Sequence, residues 1–482
     1  MFKTAVDVAE GKILFKETFS MYGALTVFLQ AAAIKIFGEY LITIKLLTAF
    51  FYGLTSVFLW LIWSKFLPKF LSTFTSIVWI LLAPYFLWLF LPWSSVYALF
   101  FQVVSIYLAI LFIERNNKLF LFSSGALACL SFFCRQPVGI LLFISLIGFF
   151  LILSIIKKDS FVDVLLNILN LFLGFFITLA FFIIWFLLNG SLNDWFLQTF
   201  SLPFYFGNGV GNGYSMLKIL NCLFPLQMSI VWSIMPVVCI LIALLMFIKV
   251  IRRTALEKNE IIILLLIFTS LASWAQYYPV PCIRHCYWSA TPMFGLVTYL
   301  ILKIVQYLKG SDNQKIIITA LLLFLLFCSN ITERIINAYF MLTYPNVKTI
   351  TEPKVLYGIK TGPNTAKEFA VYTHIINDYL KLHPNKKLIS VCDGPYSIDP
   401  LYLTLTNNSE NFHPMFLNWS WVNKYVYTDY YEKLISYVNK NKPLILSLKS
   451  TIVLENGQSI NDYYVLHKLN NGLFIMAPIQ EK

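Results

Sequence analysis

From about residue 41 to residue 330 the chain is a succession of apolar runs separated by short polar breaks. A helix rises about 1.5 Å per residue and needs about 20 apolar residues to cross a bilayer core. The runs predict ten spans, at about 41–63, 71–91, 95–113, 119–134, 137–156, 164–188, 228–250, 260–275, 288–307 and 314–330. Residues 22–38, "YGALTVFLQAAAIKIFG", are apolar but too short to cross, and carry Lys35 near a closing glycine. They predict a helix lying along the membrane surface. After Asn330 the apolar runs shorten to strand length in "KLISVCD", "PLILSL", "DYYVLHKL" and "GLFIMAP", while "NTAKEFAVYTHIINDYLKLHP" and "TDYYEKLISYVNKNKP" keep helical spacing. The pattern therefore predicts an α-helical polytopic membrane protein with a small C-terminal α/β domain. Its parts are 1–40, a partial first loop with the surface helix, 41–330, the bundle, and 335–482, the α/β domain.

Composition agrees. Of 482 residues 59% are hydrophobic and only 12% charged, about half the charge of an average soluble domain. The excess of positive charge is explained by position along the chain. One set of inter-helix loops holds Lys65, Lys69, Arg115, Lys118, Lys157, Lys158, Lys249, Arg252, Arg253, Lys258, Lys309 and Lys315, whereas the other set holds only Arg135, Lys218 and Arg284. Because cytoplasmic loops collect Lys and Arg, the second set, the opening segment and the C-terminal domain are expected outside the cytoplasm, in a plasma (inner) membrane. No basic cluster resembles a nucleic-acid arm, so nucleic acid is not an expected partner.

Polar side chains gathered at one membrane face are candidates for function, because burying them in hydrocarbon is costly. The outer face collects Asp7, Glu10, Glu17 and Tyr22 from the opening loop, Trp93, Ser94 and Ser95 from "LPWSSVY", and Arg135 and Gln136 from "FFCRQPVG". "QYYPVPCIRHCYW" adds Tyr277, Tyr278, Arg284, His285 and Trp288. Arg135 sits where a proline interrupts two apolar runs. It reads either as a residue snorkelling to headgroups or as a planar fork of donors for a phosphate. Lys45, in the first span, carries the same two readings. The rings of the late loop suit an aromatic belt or a sugar or isoprenoid pocket. Cys282, His285 and Cys286 offer three ligands where a tetrahedral zinc wants four, or three plus water, and a disulfide between the two cysteines is the alternative. "GNGVGNG" lacks the strand and Lys-Ser/Thr of a nucleotide loop, and no His-Glu-x-x-His or Gly-x-Ser-x-Gly is present. Asn189, Asn330, Asn407 and Asn418 lie in Asn-x-Ser/Thr sites.

The order of "DVAEGKILFKETFSMYGALTVFLQAAAIKIFGEYLITIKLL", "LPWSSVY" and "GALACLSFFCRQPVG" resembles the GT-C class of membrane glycosyltransferases, the group that includes protein mannosyltransferases and aminoarabinose transferases. The resemblance covers about residues 5–330. It implies an enzyme that moves a sugar from a polyprenyl-phosphate carrier to a glycan, lipid or protein acceptor at the outer leaflet. It also implies a carboxylate of the first outer loop as general base, with basic residues holding the donor phosphate. Carried over by position, Arg135, Lys45 and Arg284 would hold the phosphate. Glu17 ranks above Asp7 as a surviving site carboxylate, with His285 as a further candidate. Tyr22, Trp93, Gln136, Tyr277, Tyr278 and Trp288 would line the substrate pocket, and Asp393, Tyr396 and Trp419 would shape the acceptor side. The acidic motif of the family would fall before Met1, so the expectation is a first helix and a main catalytic carboxylate upstream of this chain. No cofactor is required by the sequence, although the family admits a divalent metal. The competing readings are a transporter or flippase of lipid-linked sugar and a catalytically inactive relative.

Overall fold

This computed structural model describes residues 2–83, 92–158, 160–203, 230–252, 255–276, 282–343, 347–391, 401–406, 429–454, 457–469 and 472–479. Helices dominate up to Thr343, and each of the ten apolar runs contains one. After α1 (Phe2–Ala9) and α2 (Ala24–Phe37) come α3 (Leu41–Trp63), α4 (Lys69–Leu81), α5 (Ser94–Arg115), α6 (Lys118–Cys134), α7 (Gln136–Lys157) and α8 (Phe161–Leu188). A short α9 (Leu192–Phe196) runs into a π-helical turn, Leu197–Ser201. Next are α10 (Ile230–Ile251), α11 (Lys258–Ala275), α12 (Ile283–Ala290), α13 (Phe294–Val305) and α14 (Asp312–Thr343). Among the described residues eight helices are long and apolar enough to cross a membrane, counting α12 and α13 with their joining turn as one; α2, α4 and α6 are apolar but shorter. The chain is thus a multi-pass membrane protein.

The structure divides into two compact units. One comprises Thr48–Ile184 and Gly213–Thr343 and holds most of the bundle. Its helices meet closely where glycines allow it: a Cβ at Gly125 of α6 would overlap the Leu171 carbonyl of α8, and one at Gly174 of α8 would overlap the Phe122 carbonyl of α6. Small residues at such crossings let helix backbones approach in a membrane. Large rings fill the rest of the interior, with Trp79 stacked on Tyr287 at 5.6 Å and Phe133 on Phe182 at 3.9 Å. Helix α14 runs to Thr343, past the compositional change at Asn330, because "ITERIINAYF" keeps helical spacing and no proline intervenes before Pro345.

The other unit comprises Met1–Leu47, Trp185–Asn212 and Tyr344–Lys482. The opening stretch reads as loop from its polarity, yet residues 2–9 form α1. Phe2, Ala5, Val6 and Ala9 recur at helical spacing and pack against Ile34 of α2 and Ile44 at the start of α3. Beyond Tyr344 the strands are β1 (Lys348–Thr349), β2 (Lys360–Thr361), β3 (Leu388–Val391), β4 (Leu444–Ser447), β5 (Ile452–Val453), β6 (Ser459–Ile460), β7 (Tyr463–Lys468) and β8 (Phe474–Pro478). Helices α15 (Pro363–Leu382), α16 (Leu401–Thr404) and α17 (Tyr430–Asn441) lie between them. A four-stranded sheet in the order β3-β4-β8-β7 pairs β3 with β4 in parallel and the other neighbours antiparallel. Helix α17 makes the parallel crossover, and its Tyr430, Leu434 and Val438, one turn apart, bury against Ile389, Ile445 and Met476.

Candidate functional site

The bundle unit gathers polar groups around the N-terminus of α5. Its N-cap is Trp93, whose side chain makes no cap hydrogen bond, so the first-turn N–H groups of α5 keep the partial positive charge of a helix start. Arg135 is the single extended residue between α6 and α7 (φ −152°, ψ 112°), where Pro137 in the first turn of α7 fixes the break. From this hinge its Nη1 donates to the Ser95 hydroxyl. Arg284 stands over the Trp93 ring at 5.3 Å, a cation–π contact that draws α12 to the same helix end. "LPWSS", "CRQP" and "CIRHC", far apart in the sequence, are therefore joined through two arginines and one tryptophan.

Several polar atoms here are buried without a hydrogen-bond partner among the described residues: the Ser94 Oγ, the Gln136 Nε2 and, two turns down α5, both polar atoms of Gln102. Each such atom costs about 1–3 kcal/mol. Ser94 and Gln136 flank the Arg135–Ser95 pair, so the bundle holds donors and acceptors in reserve beside a guanidinium. His285 is 6.0 Å from the Trp288 ring, and Trp288 Nε1 donates to the Tyr52 hydroxyl at 2.8 Å. The periodicity places Arg284 and His285 in a loop before the last-but-one span; they instead occupy the first turn of α12, because nothing after Pro281 breaks a helix and Cys282 takes the N-cap. Cys282 and Cys286 form no disulfide, so the disulfide reading fails. Tyr277, Tyr278, Asp393, Tyr396 and Trp419 lie outside the described residues, as does the glycine-rich 207–213 stretch.

The other predicted groups belong to the second unit. Asp7 is fully buried and paired with Lys3 Nζ at 2.7 Å and Lys12 Nζ at 2.5 Å. Glu17 is exposed and accepts the Ile13 N–H at 2.6 Å, closing the turn that α1 enters through Gly11 (φ 104°) and Phe15 (φ 70°). Tyr22 is half-buried, and its carbonyl accepts from the Ser20 hydroxyl. Lys45 is half-buried on α3.

Sequence reading missed Gln198. From the π-helical turn its Nε2 donates to the Phe15 carbonyl at 2.7 Å and its Oε1 accepts the Ser20 N–H at 3.0 Å, so one buried amide clamps both ends of the opening loop. The lone polar residue in "DWFLQTF" was the available signal. Asp194, on the neighbouring α9, has its carboxyl pushed up by burial, partly offset by the charge of Lys16 in the same loop. Among the described residues no three His, Cys, Asp or Glu side chains come together to hold a metal ion.

The double pairing of Asp7 makes a prediction. Asp7→Asn leaves Lys3, itself only 4% exposed, as a buried cation facing an amide. Removing one partner of a buried pair costs about 3–5 kcal/mol. A clear drop in the melting temperature of the purified protein is expected in detergent, whereas Glu17→Gln, at an exposed turn, should leave melting nearly unchanged.

No protein-family model and no curated protein sequence matches the chain. Solved structures do. The chain is similar to ArnT from Cupriavidus metallidurans bound to undecaprenyl phosphate, with a TM-score of 0.52 and 12% identity, covering 99% of this chain and 92% of that one. The Archaeoglobus fulgidus oligosaccharyltransferase AglB, in complex with an inhibitory peptide and a dolichol-phosphate, matches with a TM-score of 0.49 and 10% identity over 92% of this chain and 65% of that one. The same organism's oligosaccharyltransferase in complex with Zn and sulfate matches with a TM-score of 0.45 and 11% identity over 85% of this chain, which spans only 53% of that one. At these identities the likeness concerns the backbone, and it extends over nearly the whole of both chains in the ArnT comparison. The chain has the GT-C fold.

Proposed function

We propose that this protein is a glycosyltransferase that takes a sugar from a polyprenyl-phosphate carrier and passes it to a hydroxyl acceptor at the outer face of the membrane. The observation that carries the reading is Arg135, held by Ser95 at the uncapped start of α5. A phosphate suits this position. The guanidinium offers a planar fork, the helix start offers N–H groups, and the Ser94 hydroxyl and Gln136 Nε2, without partners among the described residues, offer more donors. Similarity in fold to an ArnT bound to undecaprenyl phosphate supports the same donor class.

In the reaction the acceptor oxygen bonds to the anomeric carbon as the bond from that carbon to the phosphate oxygen breaks. The bonding pair leaves with the lipid phosphate, and a base takes the acceptor proton. Arg135 stabilises the developing phosphate charge, with Arg284 as a further cation; Lys45 keeps its phosphate assignment from the sequence. Asp7 is assigned a structural role, since its carboxylate is already shared by two lysines and is closed to solvent. Glu17, exposed at its turn, and His285, in the first turn of α12, stay as candidate bases. Trp93, Gln136 and Trp288 are assigned to the substrate pocket; Tyr22, Tyr277 and Tyr278 keep that assignment from the sequence. The loop-charge asymmetry supports a C-terminal domain outside the cytoplasm and an inner-membrane location.

The test is transfer in vitro. Purified protein in lipid nanodiscs, given a pool of radiolabelled polyprenyl-phosphate sugars and membrane acceptors, should move label from the carrier to an acceptor. A chain that binds the carrier but transfers nothing would identify an inactive relative, and carrier movement across the bilayer without transfer would identify a flippase.

A further inference from the structure

The unit that carries the sheet contains a polar cleft of about 670 Å3. That volume lies within the roughly 300–1,000 Å3 range of small-molecule sites. One wall is the turn between α2 and α3, Gly38–Glu39–Tyr40; another is Glu352–Val355; the third is one face of α15, with Leu405 and Thr406 closing an end. The α15 face follows from its sequence. Tyr372, Ile376 and Tyr379 turn inward, which leaves Thr373, His374, Asn377, Asp378 and Lys381 along the cleft.

The lining selects among ligands. Carboxylates and ammonium groups are intermixed and partly paired with each other: Asp378 lies 3.0 Å from His374 Nε2 and 3.6 Å from Lys381 Nζ. No net field of one sign is left for a phosphate or a nucleic acid. Among the described lining residues the apolar side chains are few, such as Val355 and Leu405, too little for an acyl tail. What remains is a dense alternation of donors and acceptors beside one aromatic ring, Tyr40, with the Lys354 ammonium 5.9 Å from its centre. Thr406 adds a buried hydroxyl to the lining. It is 5% exposed, and its hydroxyl has no hydrogen-bond partner among the described residues. Glu39 is half-buried, and its carboxyl is pushed above the usual range by burial and then by Glu10, which suits an acid that shares hydrogen bonds with hydroxyls.

We propose that this cleft binds an uncharged oligosaccharide, with Tyr40 packing on a sugar face and Asn377, Asp378 and Thr406 bonding its hydroxyls. The role of the bound sugar, as the acceptor chain or an elongating glycan, rests on the transferase reading; the binding does not.

The experiment is saturation-transfer-difference NMR on the full chain in nanodiscs, with neutral hexasaccharides of glucose, mannose and N-acetylglucosamine as probes. At least one should bind. Tyr40→Ala and Asn377→Ala should each weaken that binding by fivefold or more, and Lys433→Ala, on α17, should leave it unchanged. Asn377 is exposed, so its variant separates lost recognition from lost folding. Failure of all three sugars to bind overturns the inference, as does binding that neither variant weakens. Binding that persists in a protein inactive in the transfer assay overturns the transferase reading and leaves this one standing.

Discussion

Arg135→Ala abolishes sugar transfer while the protein still expresses and folds. The side chain is half-buried at the α6–α7 break, where it donates to Ser95. Pro137 and the extended backbone at 135 maintain that break without the guanidinium. What disappears is the donor fork facing the developing phosphate charge. Removing one such group from a preorganised site lowers turnover about 10²–10³-fold, and a cation on a leaving group sits at the upper end. Arg135→Lys keeps the charge but loses the planar fork, so it should recover only part of the rate. Single-turnover transfer, with melting temperature as the folding control, checks both variants. Unchanged turnover in Arg135→Ala would remove Arg135 from the reaction.

Gly174→Leu prevents recovery of folded protein. The side chain would meet the carbonyl of Phe122, which is backbone and cannot swing aside as a side chain would. Overpacking a yielding core costs about 1–3 kcal/mol. Here α6 and α8 would have to separate, and the reciprocal contact of Gly125 with Leu171 would open with them. The ring stack of Phe143 on Phe175 at 4.2 Å, one residue along α8, would also be disturbed. Gly53→Leu is the control, because a Cβ at Gly53 meets nothing within 4 Å. Size-exclusion profiles in mild detergent should show a monodisperse peak for Gly53→Leu and aggregate for Gly174→Leu. A monodisperse Gly174→Leu protein with unaltered melting would contradict the close crossing.

Much of the fold was legible because a membrane imposes a simple rule on the sequence. Hydrocarbon demands long apolar helices, so the runs at 41–63 and 137–156 became α3 and α7 within a residue. Strand-length runs such as "PLILSL" and "GLFIMAP" became the buried β4 and β8 for the same reason of burial. The opening segment was harder. Lys3, Asp7 and Lys12 look like surface charges in sequence, and only the ion pairs they form inside the structure let α1 pack as a buried helix.

The site was legible in its parts and hidden in its assembly. Arg135 is conspicuous as an arginine between apolar runs, and Ser95 is one serine among many; their pairing depends on the α5–α6–α7 packing. Trp93 and Arg284 were each visible, whereas their contact across the bundle was not. Gln198 and the cleft along α15 escaped notice because each depends on groups more than 150 residues away in the chain, a separation at which no local pattern gives a signal.

The most direct measurement of the central claim is an experimental structure of the full chain in nanodiscs with undecaprenyl phosphate. The account predicts the phosphate at the start of α5, with its oxygens about 3 Å from the Arg135 guanidinium and the Ser95 hydroxyl, and no bound phosphate there in Arg135→Ala. A phosphate seated elsewhere, with the Arg135 guanidinium making no contact with it, would contradict it.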